Sequence, residues 1–218
     1  MTQDQDHFRQ RESVRKLVRS DLFRYYGAAD LRTFVYSFLR IPGFRFTFFL
    51  RYTAYHHEKS GCFHFMAFVL CKLILDHYRF KYGFQLTYLT KIGRGLYIGH
   101  HGNIIIASGA TLGDNVNRSP GVAIGQTNRG KKAGYPTIGN RVWIGTNAII
   151  VGSVSIGDDA LIAPGAYVNC DVPSRGVVIG NPGEVKSLNG SKHYVDNLFP
   201  DSDEPAVRND PPAKARSV

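Results

Sequence analysis

Residues 138–168 read IGNRVWIGTNAIIVGSVSIGDDALIAPGAYV. An aliphatic residue returns at every sixth position: Ile138, Ile144, Ile150, Ile156, Ile162 and Val168. Small residues follow most of these anchors (Gly139, Gly145, Gly157, Ala163), and Val142, Ala148, Val154, Ala160 and Ala166 stand four places after an anchor. Helical periodicity is absent from this stretch. A six-residue unit repeated in phase makes one flat side of a three-sided coil, with the anchor pointing inward and small residues at the tight corners. Stacked coils bury a continuous aliphatic column, so one isolated unit means little and consecutive in-phase units are specific.

Upstream, the same phase holds at Ile92 and Ile98, resumes two residues late at Ile106, and runs through Leu112, Arg118 and Ile124 before jumping to Ile138. The two breaks mark insertions, a short one around His100–Asn103 and a longer one within Gln126–Tyr135. Insertions in a solenoid map to loops and often to the binding face. The longer one, QTNRGKKAGY, is polar, basic and glycine-rich, as a protruding loop at 126–136 should be. Arg118 fills a slot whose phase asks for an aliphatic. It either reaches solvent through a distorted corner or pairs with an acid or a ligand.

The flanks differ from the repeat. Residues 1–84 are basic and aromatic and predict helices, with Ser20–Asp21 as a helix start, Pro42–Gly43 and Ser60–Gly61 as punctuation, and a strongly apolar helix across Phe63–Leu75. Between residues 34 and 55 arginines alternate with aromatics. That segment is either a helical cap packed on the next domain or a peripheral contact with an anionic membrane. From Ser187 to Val218 the chain is rich in Pro, Asp and Lys and predicts largely irregular structure.

Composition bounds the function. Of 218 residues, 43% are hydrophobic and 20% charged, a globular balance that excludes wholesale disorder. The net charge of +10 suits phosphate-bearing partners or is simply a solvated basic surface. No recognition motif for nucleic acid accompanies it. Cys62, Cys71 and Cys170 form no CxxC pair, which predicts neither a metal site nor a disulfide framework and fits a reducing cytoplasm. The polar start and the short apolar run predict neither a signal peptide nor a membrane span.

The segments KIGRGLYIGHHGNIII (91–106), VAIG (122–125), YPTIGNRVWIGTNAIIVGSVSIGDDALIAPGAYV (135–168) and VIGNPGEV (178–185) resemble the serine acetyltransferase branch of the hexapeptide acyltransferases. Together they cover about residues 85–186. Within that branch, an SDLFRYYG stretch followed by a basic aromatic segment resembles capsule or exopolysaccharide O-acetyltransferases. The resemblance implies a left-handed parallel β-helix. It implies a homotrimer or dimer of trimers with active sites between neighbouring prisms. It also implies acetyl-CoA as co-substrate in the groove between subunits, with no metal.

Residue by residue, the resemblance puts His100 at the family's catalytic histidine, with His101 beside it and Gln85 where an aspartate orients the imidazole. The acid that holds the amino-acid substrate falls at Gly99, and an Arg-His pair in the protruding loop falls at Gly134 and Tyr135. These departures argue against serine; with the capsule-like resemblance they predict a sugar or polysaccharide hydroxyl as acceptor, in the cytoplasm, where the basic aromatic segment would hold the chain near the inner face of the membrane. Serine O-acetylation for cysteine biosynthesis and a catalytically impaired structural β-helix are the alternatives.

For chemistry, an imidazole that takes the proton of an attacking hydroxyl is worth ~10²–10⁴-fold in rate. Gly145, Thr146, Ala163, Pro164 and Lys186 are the candidate CoA-binding residues, and Tyr135, Asn103 and Arg118 the candidate substrate-binding residues. Lys131 and Lys132 are further phosphate candidates, and a backbone N–H at Gly121 or Gly125 is a candidate oxyanion donor. Trp143 faces outward, to pack at a trimer interface or stack on adenine or a sugar.

Overall fold

The computed structural model describes residues 13–100 and 102–199. Val14–Tyr26 (α1), Leu31–Arg40 (α2), Pro42–His57 (α3) and Cys62–Tyr82 (α4) make up the helical part. Ser13 and Asp30 cap α1 and α2 by accepting from the N–H groups of Lys16 and Thr33, and Pro42 opens α3 where its missing N–H is no loss. Ser20 and Asp21 do not start a helix. They lie inside α1, because their side chains are committed to the backbone of the β-domain.

From Phe84 the chain coils. Phe84–Gln85 (β1) precedes a first coil of Lys91–Ile92 (β2), Tyr97–Ile98 (β3) and Ile104–Ile106 (β4). The second coil is Thr111–Leu112 (β5), Asn117–Arg118 (β6) and Ala123–Gly125 (β7). The third is Thr137–Ile138 (β8), Trp143–Ile144 (β9) and Ile149–Val151 (β10), and the fourth Ser155–Ile156 (β11), Leu161–Ile162 (β12) and Tyr167–Val168 (β13). Val177–Ile179 (β14) and Glu184–Ser187 (β15) finish it.

Each coil adds one strand to each of three sheets. The first sheet stacks β1, β4, β7, β10 and β13, the second β2, β5, β8 and β11, and the third β3, β6, β9, β12 and β14, with β15 antiparallel at its end. Pairing keeps the anchors in line. Ile106, Ile124, Ile150 and Val168 run up the first sheet, and Ile98, Arg118, Ile144, Ile162 and Val178 up the third. The result is the expected left-handed parallel β-helix behind a helical N-terminal region.

The corners explain the small residues. Between the second and third sheets, the Asp114, Asn140 and Asp158 carboxamide or carboxylate oxygens each accept the backbone N–H of the preceding coil's equivalent residue. A Cβ on Gly113 would collide with Asn140 and with the backbone of Gly139, so this position takes no side chain.

The helices close the open end of the prism. Phe46, Leu50 and Leu75 join Phe84, Leu86 and Leu96 in the same core as the aliphatic column. Asp21, buried, accepts from Arg51 Nε at 2.9 Å and Nη2 at 3.0 Å and from the Leu96 N–H at 2.7 Å. Arg51 also donates to the carbonyls of Ile92 and Gly93. Burial lifts the Asp21 carboxyl above the usual carboxylate range, although Arg51 pulls the other way.

In the segment 34–55, Phe34, Phe38, Phe44 and Phe48 turn inward on one another, while Val35, Tyr36 and Leu39 of α2 stay exposed. Among the described residues no helix is long and apolar enough to cross a membrane. Arg118 does not reach solvent, being 2% exposed, and among the described residues its Nε, Nη1 and Nη2 have no hydrogen-bond partner.

Candidate active site

The edge between the third and first sheets carries most of the expected site. In the second, third and fourth coils it is turned by Ser119–Gly121, Gly145–Asn147 and Ala163–Gly165. These turns are stitched together along the prism: the N–H of Gly121 donates to Asn103 O, that of Asn147 to Pro120 O, and that of Gly165 to Thr146 O. Gly121 and Gly165 take left-handed φ angles of 77° and 72° at these turns.

In the first coil this edge is two residues longer, and the extra length lifts His100 out of the prism onto the surface. The segment is held on both sides. The Tyr25 hydroxyl of α1 donates to Ile98 O at 3.1 Å and accepts from Ile98 N at 3.3 Å, just before Gly99. The Gly102 N–H donates to Tyr82 O at the end of α4, and the Ile104 N–H to Gly83 O. Gly99 lies against the Tyr97 ring, whose outer edge would have to shift for any side chain placed there.

The expected residues are therefore brought together in part. His100 and Asn103 share one edge with Gly145, Thr146, Ala163 and Pro164 (the first pair in the first coil, the others two and three coils further along). At about 4.8 Å per coil, the span from the first coil to the fourth is about 14 Å. Gln85 is exposed on the outer face of the first sheet, beside Ile105, and no hydrogen bond joins it to His100. His101 lies outside the described residues. Arg118 is inside the prism, away from any substrate surface.

Tyr135 sits on the other edge of the first sheet, where the insertion leaves between β7 and β8, its ring against Gly109. That loop closes on itself through a Thr127–Gly134 bridge. Lys132 is tied to Asp171 at 2.9 Å, leaving Lys131 and Arg129 as its exposed cations. Lys186 pairs with Glu184 on β15. The Gly121 N–H is spent on Asn103 O and is not a free oxyanion donor. Trp143 is covered within its own chain, by the Tyr194 ring at 4.9 Å. The supports from Tyr25, Asp21 and Arg51 were not foreseen; the SDLFRYYG stretch carries the first two, and Arg51 belongs to the basic aromatic segment 34–55.

A family model described as bacterial transferase hexapeptide (six repeats) matches residues 135–170. A serine acetyltransferase of Helicobacter pylori is 35% identical over 132 residues, which is 61% of this chain and 75% of that protein. One from Bacillus subtilis is 33% identical over 140 residues, 64% of each. Among solved structures, Neisseria gonorrhoeae serine acetyltransferase in complex with serine superposes with a TM-score of 0.63 at 26% identity, covering 78% of this chain and 68% of that one. The soybean serine acetyltransferase apoenzyme gives 0.66 at 25% identity, covering 83% and 72%. These relatives overturn the expectation of a sugar or polysaccharide acceptor and of a special likeness to capsule O-acetyltransferases. They favour the alternative, serine acetylation.

Proposed function

The chain belongs to the serine acetyltransferase family and is an acetyl-CoA-dependent acyltransferase, and on that premise we propose that it transfers the acetyl group of acetyl-CoA to the hydroxyl of serine. The observation that carries the reading is His100, raised from the prism at the edge where Gly145, Thr146, Ala163 and Pro164 also turn.

In the proposed reaction the His100 imidazole takes the hydroxyl proton as the serine oxygen attacks the thioester carbonyl. The tetrahedral intermediate collapses with cleavage of the C–S bond. The CoA thiolate leaves and recovers the proton from the imidazolium. The open backbone of the Gly145–Thr146 and Ala163–Pro164 turns receives the pantetheine arm, and Asn103 lies beside the acceptor. Gly99, Gly134 and Tyr135 replace the family's amino-acid-holding side chains, so serine is held by a different contact set, of which Tyr135 is one member.

The working form is a homotrimer. Ile105, Ala123, Ile149 and Tyr167 form one outward row on the first sheet, with Ile105 38% and Ile149 39% exposed in the single chain. A neighbour that covers this row buries apolar surface. Because the His100 edge and the Tyr135 edge flank this sheet, three copies arranged around it set the His100 edge of one against the 126–136 loop of the next.

The test is thiol release from acetyl-CoA with serine as acceptor, compared with threonine and with water alone. Serine-dependent release that His100→Ala lowers by about 10²–10⁴-fold supports the reading. Release that does not depend on serine, or that His100→Ala leaves unchanged, refutes it.

A further inference from the structure

The remaining edge of the prism, where the second sheet passes into the third, is turned by residues with left-handed backbone angles. Asn115, Arg141, Asp159 and Arg175 hold the same corner position in successive coils, at φ of 56°, 53°, 58° and 62°. Asparagine and aspartate tolerate that conformation well, and arginine does not. Two arginines nonetheless stand there, two coils and about 10 Å apart, with Asp159 between them.

Both arginines line one cavity of about 330 Å³. Its other wall is the segment after β15, which folds back onto the corner. The Ser191 N–H donates to Asp159 O at 2.7 Å, and the Ser191 hydroxyl donates to Arg141 O at 2.6 Å. Gly190 passes so close that a Cβ there would meet Asp159 O at 2.9 Å. Lys192 and His193 lie on this wall, both exposed.

Charge in the cavity is unbalanced. Asp159 is the one carboxylate among the lining residues, and Arg141 holds it through Nε at 2.7 Å and Nη2 at 2.8 Å. Arg175 and Lys192 form no ion pair among the described residues. Asp196, the only acid of residues 187–199, acts on Arg24 and Tyr97 instead. At His193 the backbone turns left-handed (φ 68°), and the N–H groups of Lys192 and His193 donate to no acceptor among the described residues. Successive N–H groups left open by such a turn suit an anion.

We infer that this cavity binds the dianionic phosphoryl group of a small metabolite. Arg175 supplies a planar fork that matches two phosphoryl oxygens, Lys192 a point charge, and the His193 imidazole and the turn N–H groups further donors. The cavity is at the small end of ligand sites, too small for a cofactor the length of CoA. The edge lies across the prism from the first sheet, so three copies arranged around that sheet leave it open, and it is separate from the edge of Gly145 and Ala163. From the cavity the same segment runs on to lay Tyr194 against Trp143, and Asn197 donates to Arg24 O on α1. An anion that ties Lys192 to Arg175 therefore fastens a strap that reaches from the last coils to the helices.

Trp143, the only tryptophan of the chain, reports on the strap through Tyr194. The full chain, with CoA saturating, is titrated with inorganic phosphate and with glycerol 3-phosphate at fixed ionic strength, against chloride and acetate. Trp143 fluorescence and the melting temperature are followed. The expected result is a saturable response to the phosphoryl probes with a midpoint below about 10 mM, weakened at least about tenfold by Arg175→Asn combined with Lys192→Gln. Asparagine suits the left-handed angle at 175, so the double variant keeps its fold. Tighter binding of glycerol 3-phosphate assigns the site to a phosphate ester, and tighter binding of inorganic phosphate to the free ion.

An equal response to chloride reduces the effect to screening and overturns the site. So does a response that the double variant keeps, or no response by either readout up to about 50 mM. A response that appears only after Asp201→Asn, Asp203→Asn and Glu204→Gln overturns the external ligand in favour of the chain's own acidic stretch.

Discussion

Replacing Arg118 with leucine should make the protein more stable. Arg118 occupies an inward slot in the third sheet, between Ile98 and Ile144, with none of its guanidinium nitrogens hydrogen-bonded. Burial pulls its proton affinity down to about 10 from the ordinary 12.5. At about 1.4 kcal/mol per tenfold, that is about 3 kcal/mol held against the charged form. The nearby Asp21 carboxylate offsets part of it, but Asp21 is already committed to Arg51 and Leu96. Leucine removes the charge and adds about 2 kcal/mol of side-chain burial, less a cavity term for the shorter side chain.

The expected gain for Arg118→Leu is about 3 kcal/mol, within the ~1–4 kcal/mol seen when buried ions give way to packed apolar groups. It corresponds to a melting temperature about 6–12 °C higher for a chain of this size. The sign with pH is fixed. A base whose folded-state pKa is lowered penalises folding at every pH below about 10, and the penalty fades only as the pH rises past that value. Urea unfolding at equal protein concentration, followed by far-UV circular dichroism, measures the difference. Loss of more than about 1 kcal/mol would mean that Arg118 has a partner in solution, and the reasoning would fail.

Asp21→Ala strips Arg51 of its carboxylate and the Leu96 N–H of its acceptor, and should cost about 3–5 kcal/mol in the same assay, whereas Asp21→Asn, which keeps an acceptor, should cost less. Gly121→Ala forces a side chain onto a φ of 77° and against Asn147, and should cost about 1–3 kcal/mol and slow acetyl transfer at the adjoining edge. His56 and His64 face each other across α3 and α4 with Nδ1 atoms 2.9 Å apart, and burial and the His64 charge hold His56 below its usual range. Stability should therefore be full above about pH 6.5 and fall as the pH drops through the lowered value, and His64→Phe should flatten that part of a melting-temperature profile.

The repeat was legible because inward anchors obey a period that nothing else in a sequence imitates. The same logic flagged Arg118 as an exception, though not that its guanidinium is left unpaired. The helix start at Ser20–Asp21 was misplaced because cap-forming side chains serve tertiary backbone equally well, and their targets, Gly95 and Leu96, lie far along the chain. Trp143 was read as open to a partner because Tyr194, which covers it, belongs to a tail without periodicity. The acceptor was misread from side chains that are absent. Gly99, Gly134 and Tyr135 record lost contacts, and a lost contact does not name the molecule that replaces them.

The coil bearing His100 is the first of the solenoid, with a coil above it and helices beneath. In a one-dimensional stack the end unit has half the neighbours of an interior one and frays first unless something substitutes for the missing side. Here α1 and α3 are that substitute, through Asp21, Arg51 and Tyr25. The layer proposed to carry catalysis therefore borrows its order from the helices rather than from a second coil. If the helices loosen first under gentle denaturation, activity should be lost while the later coils, with Trp143 still covered by Tyr194, remain wound.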